Sequence, residues 1–238
     1  MVDRSPGLNR LLVGLDRAQH DRSLVGGKGA SLGRLLAIGA PVPEAVALTT
    51  HAYREVAASL GLLGRIADAT SFDLPWIRAE LLHAPLPATV EAAIGEAWDR
   101  LATTDTPDVA LAVRSSATSE DSGAYSFAGL HDTVLDIRTP AALAAAVRAC
   151  WASLWSDRAV SYRRGTPLAE EPAEIAVVVQ RLVRADVAFV VFTVDPVSGN
   201  SDHAVISANW GLGEAVVSGL STPDHIVVDR DGTVLTYD

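Results

Sequence analysis

The chain has 238 residues, enough for one large domain or for two lobes that each bury a core. Hydrophobic residues make up 49% and charged residues 20%, as in ordinary folded proteins, and no uncharged apolar run approaches the roughly 18 residues of a membrane span. The net charge of −10 argues against nonspecific nucleic-acid binding, which needs a concentrated basic surface, but an anionic small ligand needs only a few local cations and backbone amides.

Location and cysteine chemistry follow from simple features of the sequence. The first residues lack the basic stretch and the long apolar core of a signal peptide, so the expected location is the cytoplasm. A single cysteine, Cys150, can form neither an internal disulfide nor a cysteine-based metal cluster. Because Cys150 lies in an apolar helical pattern, we interpret it as a packed core residue.

Helices predominate in the predicted first lobe, residues 1–170. Apolar periodicity predicts helices over 30–38, 50–60 and about 87–101, and short strands over 11–15, 109–113 and 133–137. Thr139 and Pro140 are typical of the start of a long helix. The apolar stripe of that helix is Leu143, Val147, Cys150, Trp151, Leu154 and Trp155. Residues 61–86 show no clear period.

Strands predominate in the predicted second lobe, residues 171–238, which follows a linker-like segment over 165–172. Strands are predicted over 175–182, 187–192, 204–208, 225–228 and 234–237. A helix-rich lobe followed by a strand-rich lobe indicates an α+β protein with two lobes, mixed sheets and flanking helices.

A glycine-rich segment near the N-terminus carries the only lysine of the chain. Lys28 lies in Gly26-Gly27-Lys28-Gly29, whereas the other 18 basic residues are all arginine. Glycines let a phosphate approach the backbone, the amides at a helix start attract it, and a lysine supplies mobile charge that arginine does not replace. The spacing is not that of a P-loop. Taken alone, the segment is also typical of a simple turn.

A second polar segment follows the predicted strand over 109–113. The strand delivers Arg114 to its C-terminal end, where ligands collect in α/β sheets. The hydroxyls that follow suit phosphate oxygens, and they belong to Ser115, Ser116 and Thr118. The alternative is an arginine that caps the strand and pairs with Glu120 or Asp121.

Two further polar residues have competing interpretations. Gln180 ends an otherwise apolar strand and could hydrogen-bond a purine edge, although a polar residue on an edge strand is the common explanation. Glu214 follows a glycine-rich stretch and is interpreted as a residue in the first turn of a helix, or as a polar contact in a site.

Six segments in the same order resemble one family of nucleotide-binding domains. They are GGKGA at 26–30, AVRSSATSED at 112–121, SFAG at 126–129, VVVQ at 177–180, FTVDP at 192–196 and WGLGEAVVSG at 210–219. The resemblance is to the nucleotide-binding part of phosphoenolpyruvate synthases, pyruvate,phosphate dikinases and rifampin phosphotransferases. It extends over nearly the whole chain, from about Leu24 to about Arg230.

The resemblance implies an ATP-grasp fold that uses ATP and Mg²⁺. In such enzymes the β-phosphoryl group passes to a histidine on a separate domain, and then to pyruvate or to an antibiotic hydroxyl. Lys28 and Arg114 would be catalytic and would neutralise phosphate charge, Gly129 and Thr133 would contact the phosphates, and Gln180 would meet the adenine. The candidate nucleotide-binding residues are therefore Lys28, Arg114, Ser115, Gly129, Thr133 and Gln180.

The sequence also departs from the family pattern. Family members continue past the position of Asp238 into an acidic, glutamine-containing segment that holds magnesium, so the second lobe is expected to be incomplete and the metal ligands are unknown. Leu130 stands where glutamine is usual, and Phe189 where glycine is usual. The histidine-bearing and acceptor-binding domains are expected on another chain. Two interpretations stay open: a component of a phosphotransferase acting on pyruvate or on a rifamycin-type antibiotic, and a non-catalytic or regulatory ATP-binding remnant.

Overall fold

The computed structural model describes residues 8–15, 21–63, 73–102, 108–119, 133–165, 174–217 and 221–238. The chain divides into two compact units, Met1–Leu182 and Val183–Asp238. The predicted boundary near residue 170 differs from this division by one strand, because Ile175–Arg181 pairs within the sheet of the first unit.

The first unit combines helices with a five-stranded sheet. Its helices are α1 (Leu8–Leu11), α2 (Arg22–Ala37), α3 (Thr50–Ser59), α4 (Leu74–His83), α5 (Ala88–Leu101), α6 (Pro140–Ser153) and α7 (Asp157–Arg164). Its strands are β1 (Leu12–Gly14), β2 (Ala45–Leu48), β3 (Leu111–Ala117), β4 (Thr133–Ile137) and β5 (Ile175–Arg181). The order in the sheet is β1-β2-β5-β3-β4, and each of these pairings is antiparallel.

Both faces of this sheet are buried along β5. Val177 and Val179 belong to the larger core, which includes apolar side chains of α3 to α6, while Val178 belongs to a smaller core with residues of α2. All three valines are 0% exposed. We call the side of the sheet that contains Val178 the α2 face and the other side the helix face. A continuous apolar run such as 175–179 is what a doubly covered strand requires.

The long helix α6, together with the two residues that follow its end at Ser153, confirms the predicted stripe. Its six members, from Leu143 to Trp155, are at most 3% exposed and lie in the larger core. The side chain of Thr139 accepts a hydrogen bond from the Ala142 amide at 3.2 Å, so the predicted N-cap is also confirmed.

Two elements of the first unit differ from the sequence expectation. Residues 74–83 form α4, which begins at a proline in its first turn and buries Leu74, Ile77 and Leu81. Strand β3 continues through Arg114, Ser115 and Ser116 to Ala117, beyond the predicted end at Val113. The polar residues stay in the strand because β5 pairs with β3 along its whole length.

In its described residues, the second unit consists of a four-stranded sheet and one short helix. Its elements are β6 (Val187–Phe192), β7 (His203–Trp210), α8 (Glu214–Val217), β8 (Asp224–Asp229) and β9 (Val234–Tyr237). The strands pair in chain order and are antiparallel, as the close succession of neighbouring strands requires. The predicted strands are confirmed, and Glu214 lies in the first turn of α8. The prediction of mixed sheets is wrong for the described strands, since all of their pairings are antiparallel.

None of the helices in the described ranges combines the length and apolar character that a bilayer crossing requires.

Candidate functional site

Helix α2 is bent at the glycine segment. Asp21 precedes it and accepts a hydrogen bond from the Ser23 amide at 2.9 Å. Gly26 has φ 71° and ψ −179°, which interrupts the helix and lets it restart at Gly27. The segment is therefore a bend inside α2, whereas the sequence predicted a loop ahead of a helix over 30–38. Gly27, Lys28 and Gly29 form the first turn after the bend, where amides point towards the helix start.

The bend packs directly on strand β3. A Cβ built on Gly26 would lie far inside van der Waals distance of the Ser116 carbonyl oxygen and hydroxyl. The neighbouring elements thus leave room only for glycine at this position, and the positive φ favours glycine independently. Close backbone approach to a strand, and not only to a ligand, explains this glycine.

The hydroxyl of Ser116 holds both sides of the bend. It accepts a hydrogen bond from the Gly29 amide at 3.1 Å and donates one to the Val25 carbonyl at 2.8 Å. The residue is 0% exposed. The sequence suggested that this hydroxyl donates a hydrogen bond to phosphate. In the structure it is instead hydrogen-bonded to Val25 and Gly29 of α2.

The side chain of Arg114 lies on the same face of the sheet as that of Ser116. The two residues are separated by one position in β3, and alternate side chains of a strand share a face. Arg114 pairs with Val178, whose Cγ2 atom lies 3.7 Å from the position that a Cβ of Gly29 would occupy. Arg114 and Lys28 are both half-buried. The structure therefore brings the lysine-bearing turn and the arginine to the α2 face of one sheet.

Strand register adds Thr133 and Gln180 to this face. Thr133 in β4 pairs with Arg114 and is exposed. Gln180 lies two residues after Val178 in β5, pairs with Ala112, and is 7% exposed. Its Nε2 donates to the Pro43 carbonyl at 3.1 Å, which fixes the orientation of the amide.

One predicted site residue in the described ranges is not on the α2 face, and a second, Gly129, is not among the described residues. Ser115 points to the helix face, pairs with Val177 and is 1% exposed. Its Oγ has no hydrogen-bond partner among the described residues, and it is shielded by the larger core.

Arg22 is a cation near the site that the sequence did not single out. Its Nε donates to the Thr118 carbonyl at 2.9 Å, which ties the start of α2 to the end of β3. The Thr118 amide in turn donates to the Glu174 carbonyl at 3.1 Å, next to β5. The only signal in the sequence was a basic residue six positions before Lys28, and the contact to Thr118 cannot be read from that spacing.

A metal centre is not evident in the described part of the chain. Its histidine, cysteine, aspartate and glutamate residues form no group of three or more that could hold a metal ion.

Comparison with known proteins gives a consistent family. Residues 22–237 match the family described as pyruvate phosphate dikinase, AMP/ATP-binding domain. The chain is 37% identical, over 93% of its own length and 29% of the relative, to the phosphoenolpyruvate synthase of Aeropyrum pernix. It is 40% identical, over 93% of its length and 27% of the relative, to the rifampicin phosphotransferase of Streptomyces sviceus. It is 43% identical, over 87% of its length and 22% of the relative, to the prodigiosin synthesizing transferase PigC of Serratia marcescens.

The chain thus spans less than a third of each of these relatives. The match runs through α2, β3 and β5, which carry the bend, Arg114 and Gln180. The family assignment rests on nearly the whole chain and agrees with the order of the six sequence motifs. This chain belongs to the pyruvate phosphate dikinase AMP/ATP-binding domain family.

Proposed function

We propose that the chain is an ATP-binding phosphotransfer module and that the α2 face of the first sheet holds the triphosphate. The observation that carries this proposal is the anchoring of the Gly26 bend on Ser116, which brings the Lys28 turn to the face of β3 that also bears Arg114. Two cations and a helix start at one face suit a polyanion, although the net charge of the chain is −10.

Each cation has a distinct role in the proposal. Lys28 is a compact charge on a flexible stem that can follow a moving phosphoryl group, whereas Arg114 offers a planar fork from a strand. Together they neutralise negative charge that develops as the phosphoryl group leaves. Thr133, opposite Arg114, and Gly129 would add phosphate contacts. We leave Ser115 out of the proposed site because its hydroxyl faces the larger core.

Gln180 is proposed to recognise the adenine. Its Nε2 already donates to the Pro43 carbonyl, so the Oε1 atom is the group that can accept a hydrogen bond from the adenine amino group. The nearly complete burial of Gln180 would make a lost partner costly, and that cost would favour adenine over a purine that carries a carbonyl oxygen there.

The chemical step in the proposal breaks the bond between the α- and β-phosphates of ATP. The β-phosphoryl group passes to a histidine on another domain or chain, AMP is the leaving group, and water takes up the γ-phosphate as inorganic phosphate, with Mg²⁺ as the companion ion. From the histidine the group would pass to pyruvate or to an antibiotic hydroxyl, in line with the names of the phosphoenolpyruvate synthase and rifampicin phosphotransferase relatives. An ATP-grasp fold and a cytoplasmic location belong to the same proposal. The antiparallel sheets and flanking helices are compatible with that fold.

Binding of ATP should raise the melting temperature of the protein. A ligand present at 100 times its dissociation constant stabilises the native state by about 2.7 kcal/mol, which is worth roughly 5–10 °C for a chain of this size. Thermal unfolding with millimolar ATP and magnesium checks this, with the Lys28→Ala variant in the same buffer as the control. An unchanged melting temperature for the wild-type protein would count against nucleotide binding.

Phosphoryl transfer is tested with ATP labelled at the β-phosphate. Incubation with a separately supplied histidine-bearing phosphocarrier domain should move the label onto that domain and release AMP. The phosphocarrier domain should carry no label when the present chain is omitted or when the carrier histidine is replaced by asparagine. When the carrier is omitted, no labelled protein should form. Tight ATP binding without any transfer would instead favour the non-catalytic interpretation.

A further inference from the structure

We propose that Ser116 is a positioning residue that fixes the Lys28 turn for nucleotide binding and is not itself a phosphate ligand. This inference rests on the proposed function, because it assigns Ser116 a task in the same site. It starts from one hydroxyl that is hydrogen-bonded on both sides of the bend in α2.

The single hydrogen-bond donor of the Ser116 hydroxyl is already used. A hydroxyl has a single proton to donate, and that proton goes to the Val25 carbonyl at 2.8 Å. Its oxygen accepts from the Gly29 amide at 3.1 Å. With 0% exposure, the side chain has no surface to offer a ligand. A phosphate contact would require Ser116 to release Val25, whose carbonyl would then lose that hydrogen bond.

The two partners of Ser116 enclose the residues that matter. Val25 precedes the bend at Gly26, and Gly29 follows Lys28. Holding both ends fixes the path of the three residues between them, including the turn that carries the lysine. The Gly29 amide is one of the first amides after the bend, so it needs a partner outside the helix.

Strand β3 connects the two hydrogen bonds of Ser116 to the second cation, Arg114. Arg114 lies two residues before Ser116 on the same face, a separation of roughly 6–7 Å along an extended strand. The Lys28 turn is therefore hydrogen-bonded to the strand that bears Arg114. Ser116 sets the relative position of the two cations without touching the nucleotide.

The neighbouring serine provides a matched control. Ser115 and Ser116 have the same side chain, sit in the same strand and are 1% and 0% exposed. Ser115 points to the helix face, and its Oγ finds no hydrogen-bond partner within the described part of the chain. Removal of either hydroxyl changes the same number of atoms, but only one of the two hydroxyls holds α2.

The test compares ATP dissociation constants of folded Ser116→Ala and Ser115→Ala by calorimetry. We expect Ser116→Ala to weaken ATP binding by at least tenfold and Ser115→Ala to stay within about twofold of wild type, since a misplaced turn loses much of one charge-assisted contact. In a Lys28→Ala background, Ser116→Ala should change the ATP dissociation constant little further, because the hydrogen bonds of Ser116 affect ATP binding through the turn that carries Lys28. Equal affinities for the two serine variants, or a full additional loss in the Lys28→Ala background, would overturn the proposal.

A second measurement covers the case in which Ser116→Ala does not fold. Amide hydrogen exchange of the wild-type protein should find the Gly29 amide protected both without and with ATP, since the bond to Ser116 persists. Loss of that protection when ATP binds would mean that the Ser116 hydroxyl releases the Gly29 amide, which contradicts a purely positioning role. If the wild-type chain does not bind ATP at all, calorimetry shows this directly, and the result contradicts the proposed function instead. If the Gly29 amide is unprotected even without ATP, the hydrogen bond to Ser116 is not formed, and this result alone contradicts the positioning role.

Discussion

Replacement of Gly26 by alanine is expected to destabilise the first unit by about 2–5 kcal/mol and to abolish measurable ATP binding. A residue with a Cβ at φ 71° costs roughly 1–2 kcal/mol. The added methyl group would also collide with the Ser116 backbone and hydroxyl, and overpacking of this kind typically costs about 1–3 kcal/mol. Since the obstacle is the backbone of Ser116, which pairs with Ala176 in β5, it cannot move away without disturbing the sheet. Urea unfolding followed by circular dichroism measures the loss.

Variants at two other glycines distinguish the free-energy cost of the backbone conformation from the cost of the steric collision. Gly39 and Gly61 have φ values of 77° and 65°, but a Cβ on either would meet nothing within 4 Å. Gly39→Ala and Gly61→Ala should therefore cost only the roughly 1–2 kcal/mol of the backbone conformation and should leave ATP affinity unchanged. If Gly26→Ala proves no more costly than these two variants, the bend does not pack on β3 as described.

Lys28→Ala and Arg114→Ala are each expected to weaken ATP binding by about 1.5–3 kcal/mol, or roughly 10- to 150-fold, because each removes a charge-assisted contact to phosphate. Calorimetric titration with ATP measures the change. Lys28→Arg should not restore full affinity, since a rigid fork does not replace a compact ammonium group at a close contact.

Arg34→Ala is the charge-matched control for both variants. Arg34 is exposed on the same helix as Lys28 and hydrogen-bonds Ser31 at 3.0 Å. Its removal changes the net charge by the same amount as either site variant, so a long-range electrostatic effect would appear in all three proteins. Wild-type affinity in Lys28→Ala and Arg114→Ala would remove both residues from the proposed site.

The elements that the sequence predicted well are those whose side chains repeat with one clear period. The stripe of α6 repeats at helical spacing, and all of its members are buried. Strands of the second unit follow one another along the chain, so each could be delimited by its own apolar run and turn residues. Strand β5 follows a linker-like segment and was predicted as part of the second lobe, whereas its partners in the sheet are β2 and β3, which are distant in the sequence.

The site shows the same division between local and distant information. The sequence marked Lys28 and Arg114, but it could not show that Gly26 packs on Ser116, a contact between residues about 90 positions apart. The expected strand end at Val113 left Arg114, Ser115 and Ser116 in a loop, where all three could face a ligand. Once β3 continues through them, alternation separates the two serines: one faces α2 and the other faces the core.

The central claim is that the Lys28 turn lies against the phosphates of bound ATP, and the single lysine allows a direct test. An acyl-phosphate derivative of ATP transfers its acyl group to an amine beside the phosphates, and Lys28 is the only lysine in the chain. Mass spectrometry after brief labelling should find the acyl group on Lys28, and excess ATP should prevent the modification. An unmodified Lys28, or a modification that ATP does not prevent, in protein whose ATP binding is established by thermal unfolding, would contradict the claim.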